Sequence, residues 1–352
     1  MFTAQDLAPI RGALERKMDR IADALHRTGL IMDTHADAPF ETRMERLAAA
    51  VPGLPNALHG DRSAVTAMRD LCELWSSPRM LDMVEQLLGT PEIAGHSVIN
   101  LRIRTATPPD GAGPESVDLH AVPFHQDAAY LLPEADSTLQ VGIWLPLVDV
   151  PAEAGCLSFL KGGHTAAAGV CLPHVPAEDG TGFLQLDPEV LEELLEQGCE
   201  AVPCPVPLGS FVLFNNLVPH AGLPNTAGAT RWSVDMRWQA TDQPHGDDHN
   251  SGLVPFRSAA PGWTLRRDAA GPKAVRPPTI PDGRWAEAHA AAAAAVAELG
   301  PEALAARERK LEAHRLSQER VGRSVTEVRE ATAALLPWAE ATPSRFFHQH
   351  EL

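Results

Sequence analysis

Apolar residues recur at intervals of three or four near the start of the chain (Leu7, Ile10, Leu14, Met18, Ile21, Leu25), which predicts an amphipathic opening helix of roughly five turns. The stretch from Met32 to Arg62 is mixed and rich in Pro, His and Asp. Helical spacing returns between Ser63 and Leu88, with Val65, Met68, Leu71, Cys72, Leu81, Val84 and Leu88 as the apolar set. Pro78 should split that segment into two helices and Gly89 should end the second.

From Glu92 the pattern turns to strands. Ile93 to Thr105 is β-rich, and even spacing puts Asn100, Arg102 and Arg104 on one face. Those arginines read either as solvated charges or as the wall of a pocket. Thr107 to Glu115 is a loop by its Pro, Gly and Asp content. Thr138 to Val150 reads as a strand whose Pro146 suggests an edge or a bend. Gly155 to Leu160 is a further strand, closed by Lys161-Gly162-Gly163-His164, where His164 reads as a hydrogen-bonding residue of the turn. Residues 165–200 form an excursion with a short acidic helix around Pro188 to Gln197. Strands resume at Glu200 to Val206, Gly209 to Phe214 and Arg231 to Thr241. Asp242 to Asp282 is a polar, Pro- and Gly-rich loop, and its His245, Asp247, Asp248 and His249 read as solvated. Trp285 to Glu330 predicts two helices that meet at Gly300-Pro301, and the alanine run from Ala290 to Ala295 follows from helix propensity. Many short strands without βαβ alternation, flanked by helices, predict a mainly β fold: an antiparallel barrel or jelly roll in a helical jacket.

Composition narrows the partners. A chain of 352 residues with 44% hydrophobic content can bury one elaborated core. A net charge of −17 disfavours nucleic acid and anionic membranes as partners. Five cysteines without a Cys-x-x-Cys pair read as unbridged thiols. Residues 1–30 carry charges throughout and no stretch approaches a membrane span, so the expected location is cytoplasmic. Nothing in the sequence reports an oligomeric state.

The chemistry gathers at Pro123-Phe124-His125-Gln126-Asp127. On an extended segment, residues two apart share a face, so the His125 imidazole and the Asp127 carboxylate can reach one ion. His220, in Val218-Pro219-His220-Ala221-Gly222, is the best third ligand. Two His and one carboxylate form the facial triad of non-haem Fe(II) oxygenases, which leaves open positions on the metal. Eleven residues after His220, Arg231 lies in a predicted strand, where its fork can hold a carboxylate of a dicarboxylate co-substrate. Two other readings stay open: a non-redox metalloenzyme or isomerase using the same ligands, and a catalytically silent binding protein on the same barrel.

The ordered set His125-Gln126-Asp127, Trp144, Gly155-Cys156-Leu157 with Gly162-Gly163-His164, His220 and Arg231 resembles the phytanoyl-CoA dioxygenase-like family of Fe(II)/2-oxoglutarate oxygenases. Asn100-Leu101-Arg102 and Ala129-Tyr130-Leu131 with Pro133-Glu134 fit the same pattern, and the resemblance spans roughly residues 92–240. It implies a double-stranded β-helix core at 92–241 with an insertion near 165–200, an N-terminal helical part at 1–91, and a loop with C-terminal helices at 242–352, all in one oxygenase domain. It implies that His125, Asp127 and His220 hold Fe(II), that Arg231 pairs with 2-oxoglutarate, and that Ser233 and Trp144 bound that pocket. Dioxygen would be the oxidant, succinate and carbon dioxide the by-products. Halogenating relatives lack the metal carboxylate, so Asp127 argues for oxygenation. A small or medium-sized metabolite is the expected substrate, with Asn100, Arg102, Arg104, Gln126 and Tyr130 as pocket residues.

Overall fold

The computed structural model describes residues 2–55, 69–96, 100–106, 121–177, 183–246, 253–261, 291, 294–296 and 298–335. Its strands are β1 (Ile93–His96), β2 (Asn100–Arg104), β3 (Val122–His125), β4 (Val141–Pro146), β5 (Leu157–Lys161), β6 (His174–Pro176), β7 (Leu184–Leu186), β8 (Glu200–Cys204), β9 (Val212–Asn215), β10 (His220–Gly222), β11 (Arg231–Ala240) and β12 (Leu253–Arg257). The pairing is nested: β2 with β11, β3 with β10, β4 with β9 and β5 with β8, all antiparallel. β11 also pairs with β4, and β10 with β5, so the strands divide between two sheets in the order of a jelly roll, the double-stranded β-helix. β1 and β12 extend the larger sheet past the second half of β11.

β11 shows how the sequence builds this. Its residues alternate polar and apolar, and the strand period of two sends them to opposite faces. Trp232 and Trp238 face outward, against Phe40 at 5.0 Å and Trp75 at 5.6 Å between ring centroids. Arg231, Ser233, Asp235, Arg237 and Gln239 face the interior. The helices α1 (Ala4–Arg27), α2 (Phe40–Ala50), α3 (Arg69–Trp75) and α4 (Pro78–Leu88) supply the outer cover. All six residues of the α1 stripe are buried, and a Thr3–Asp6 capping box starts the helix. α4 is N-capped by Ser77 and ends at Gly89 in the left-handed region, as its sequence predicts.

Other expectations need correction. Met32 to Arg62, read only as a mixed stretch, contains α2. Pro146 marks neither an edge nor a bend within the strand: β4 lies between β11 and β9, and Pro146 is its last residue. Ile93 to Thr105 is two strands, with residues 97–99 outside the described residues. α5 (Gly163–Ala166) leads into the excursion, which holds the unpredicted hairpin β6–β7 and α6 (Pro188–Glu196). α7 (Pro301–Leu335) starts where Gly300-Pro301 predicts. Its Arg307 and Lys310 pair with Glu134 and Asp136, and Ala313 packs with Ala129 and Leu184. The Thr107 to Glu115 loop, Asp247 to His249 and most of the stretch before Ala291 lie outside the described residues. Among the described residues no helix is long and apolar enough to cross a membrane, and Cys156, Cys171, Cys199 and Cys204 are free.

Candidate metal centre

Strand pairing joins the two histidines. His220 on β10 is the register partner of His125 on β3, and directly opposed residues of an antiparallel pair share a face. Their ring centroids are 4.3 Å apart. Asp127 arrives differently from the sequence expectation: the chain is extended through Gln126, then Asp127 opens a 3-10 turn over Asp127–Tyr130. The turn swings the carboxylate inward, with Oδ1 at 3.8 Å from His125 Nε2. One ligand atom from each of His125, Asp127 and His220 lies within 4.8 Å of the others, and all three residues are buried.

The tautomers suit a metal. His125 Nδ1 donates to the Pro123 carbonyl at 2.9 Å and His220 Nδ1 to the Val218 carbonyl at 3.0 Å. A carbonyl can only accept, so each Nδ1 carries the proton and each Nε2 keeps its lone pair. Burial, reinforced by the neighbouring His220, pushes the His125 pKa down to about 3, and burial lowers that of His220. Both imidazoles are therefore neutral at pH 7. Burial alone would raise the pKa of Asp127, but the charge and hydrogen bonds of Arg237 outweigh it and hold the carboxylate ionised. Arg237 donates to both Asp127 oxygens at 2.8 Å. Phe159 and Phe214 pack against the His220 ring, with centroids 5.9 and 4.6 Å away.

Arg231, Ser233 and Trp144 meet on the inner face of the larger sheet. Arg231 Nη1 donates to Ser233 Oγ at 2.8 Å, and its guanidinium lies over the Trp144 ring, 5.6 Å from the centroid. The side chain is buried, and its Nε has no hydrogen-bond partner. Burial, and then the charge of Arg102, push its pKa down to about 9. Arg104 is its cross-strand register partner, so two cationic side chains start from directly opposed positions.

The remaining predicted residues divide. Asn100 Nδ2 and Arg102 Nε donate to Asp235 at 2.6 and 2.9 Å on the same inner face. The Tyr130 ring stands edge-on to His125 at 5.7 Å, while its hydroxyl accepts from the Leu184 N–H and donates to the Leu184 carbonyl. The Gln126 side chain stitches the excursion to the His220 loop: its amide donates to the Val170 and Leu217 carbonyls and accepts from Leu172 N–H. His164 bonds Thr165 within α5 at an exposed position and takes no part in the buried cluster of His125, Asp127 and His220.

Sequence reasoning missed Asp235, which ties Asn100, Arg102 and Arg237 together. It also missed His174, whose Nε2 accepts from the Gln126 backbone N–H at 3.0 Å. The alternation of β11 could have revealed Asp235; nothing local marks His174.

A jelly roll with two neutral imidazoles, one carboxylate and a buried arginine on its inner walls defines a barrel protein with a candidate mononuclear metal site. The chain matches the family model described as phytanoyl-CoA dioxygenase (PhyH) over residues 11–233, more than half its length, and it belongs to that family. It is 33% identical over 109 residues to the mouse phytanoyl-CoA dioxygenase domain-containing protein 1, covering 30% of this chain and 35% of that protein. The match thus spans about a third of this relative's length. It is 25% identical over 240 residues to the 1-deoxypentalenic acid 11-beta-hydroxylase of Streptomyces exfoliatus, covering 67% of this chain and 78% of that one. Among solved structures, EvdO2 from Micromonospora carbonacea var. aurantiaca complexed with 2-oxoglutarate matches with 23% identity and a TM-score of 0.37, over 49% of this chain and 63% of that one. So partial a superposition adds nothing to the topology described above.

Proposed function

We propose that this chain is an Fe(II)- and 2-oxoglutarate-dependent dioxygenase that hydroxylates an unactivated C–H bond of a small or medium-sized metabolite, an intermediate of specialised metabolism, with release of succinate and carbon dioxide. The observation that carries the reading is the buried Arg231, a cation with an orphaned Nε on the inner wall of a barrel that also holds the His125, Asp127 and His220 cluster. A guanidinium with a free edge in a dry site fits one end of a dicarboxylate. Membership of the family supports the reading, and the similarity to a hydroxylase over two thirds of the chain supports hydroxylation as the outcome.

His125 and His220 would each offer Nε2 and Asp127 one oxygen. Iron held there, with 2-oxoglutarate and dioxygen, supplies C–H oxidation coupled to decarboxylation of the 2-oxo acid. The chain's residues do the rest. Arg231 holds the distal carboxylate of 2-oxoglutarate, Ser233 fixes the rotamer of Arg231, and Trp144 closes the pocket beneath it. Asn100, Arg102, Arg104, Gln126 and Tyr130 frame the substrate side, Gln126 by fixing the backbone around it. Phe159 and Phe214 keep the His220 edge dry. The whole chain acts as one oxygenase domain.

Anaerobic addition of Fe(II) and 2-oxoglutarate should produce a weak visible charge-transfer band, and admitting oxygen should yield succinate. A protein that binds metal but gives neither band nor succinate would instead be a non-redox metalloenzyme, and one that binds no metal a silent barrel. Screening metabolites for stimulated succinate formation then identifies the substrate.

A further inference from the structure

Arg237 is spent on a different task from Arg231, although both lie on the same face of β11. Its Nε and Nη2 lie edge-on to the Asp127 carboxylate, one donor to each oxygen. Its Nη1 donates to Asp235 Oδ1 at 3.2 Å, and Asp235 is held by Asn100 and Arg102. The guanidinium is thus gripped from behind by a buried anion while it grips the carboxylate in front. A carboxylate free to turn about Cβ–Cγ could present one oxygen or both to an ion; the fork admits a single plane. Gly142 faces the same carboxylate from β4, and even a Cβ there would stay 3.8 Å from Oδ2. Gly142 has no side chain to press there, and the fork, with one donor to each oxygen, sets the plane.

We propose that Arg237 is a positioning residue of the metal site: it holds the Asp127 carboxylate in one orientation, Oδ1 toward the imidazoles, and so sets metal affinity and ligand field without touching 2-oxoglutarate. The inference rests on the metal reading of His125, Asp127 and His220. Partners that orient a metal ligand are worth about 10- to 100-fold in metal affinity. Lysine at this position keeps the charge and loses the fork; glutamine loses the charge and keeps one donor.

The test uses the full chain, stripped of metal and titrated with Co(II) against a chelator, with the visible ligand-field bands as a second readout. Wild type should bind one Co(II). Arg237→Gln and Arg237→Lys should both bind about 10- to 100-fold more weakly and show shifted bands. Once saturated with metal, both should bind 2-oxoglutarate within about twofold of wild type. A lysine variant with wild-type affinity and bands would make charge, not orientation, the operative property and overturn the proposal, as would an unchanged glutamine variant. If one variant fails to fold, the other decides; loss of the fold in both makes Arg237 a structural residue and overturns the assignment. Wild type that binds neither Co(II) nor Fe(II) defeats the metal reading itself, a result distinct from any failure of the variants.

Discussion

Replacing Arg231 separates a co-substrate clamp from an ordinary strand arginine. The guanidinium is buried, one donor is spent on Ser233 Oγ and Nε is unpaired. Its charge is held at a cost, because burial and the nearby Arg102 both oppose it. A carboxylate arriving there gains a charge-assisted, forked contact worth about 2–4 kcal/mol after desolvation. At about 1.4 kcal/mol per tenfold, Arg231→Ala should weaken 2-oxoglutarate binding by roughly 30- to 1000-fold. Arg231→Lys restores the charge without the fork and should fall between. Iron affinity should survive in both, since Arg231 contacts none of the three ligands among the described residues.

A third variant makes the reasoning harder to escape. Arg231→Met keeps most of the volume and deletes a buried cation that forms no ion pair among the described residues, so the metal-free, ligand-free protein should be as stable as wild type or more so. The same variant should lose the rise in melting temperature that 2-oxoglutarate gives the metal-loaded wild type. Calorimetric titration under anaerobic conditions reads the affinities, and thermal melts read the stabilities. Wild-type 2-oxoglutarate affinity in Arg231→Ala, or a strongly destabilised ligand-free Arg231→Met, would refute the clamp and favour the non-redox reading of the same ligands.

His125→Ala or His220→Ala should abolish iron binding and turnover with little change in far-ultraviolet circular dichroism, because open catalytic sites seldom hold a core together; retained affinity in either removes that residue from the site. Gln126→Leu strands the Val170 and Leu217 carbonyls and the Leu172 N–H, and should cost on the order of 3 kcal/mol in urea unfolding; a loss too small to measure would show that water replaces the amide. His125, His174 and His220 are neutral in the fold with pKa values below the unfolded 6.5, about 3 for His125 and about 4 for His174. The unfolded chain therefore binds more protons below pH 6.5, so their contribution is complete above that pH and is lost as pH falls toward 4, at up to about 1.4 kcal/mol per pH unit for each group. Chelator-treated protein unfolded in urea at pH 7.5, 5.5 and 4.5 checks this, and a flat profile contradicts neutral burial.

Patterns carried by consecutive residues are legible in the sequence alone. The α1 stripe, the Pro78 break, the Gly89 stop and the start of α7 each rest on local propensity and capping. α2 escaped because its stripe of Phe40, Met44 and Leu47 includes Arg43, which is buried only because Asp19 and the Thr34 carbonyl receive it. The β6–β7 hairpin escaped because its three-residue strands carry no periodicity, and it depends on packing under α7. At the site, His-x-Asp was visible as a spacing, yet the inward aim of Asp127 comes from a 3-10 turn that no periodicity announces.

β11 explains both what was legible and what was not. Its alternation placed Arg231, Ser233, Asp235, Arg237 and Gln239 together, and an alternating strand ordinarily turns its polar side to water. Here helices cover one face and the second sheet covers the other, so every polar group on the inner side has to offset its own desolvation with a partner. Arg237 takes Asp127, and Asp235 takes Asn100, Arg102 and Arg237. Gln239 takes Gln140 and the carbonyls of Gln243 and Pro244. Ser233 accepts from Arg231, and of these five residues only Arg231 retains an orphaned polar atom. Even spacing makes Arg231 and Arg237 equivalent in the sequence; the cross-sheet reach of Asp127 makes them different, because it satisfies one arginine and leaves the other with an unpartnered Nε.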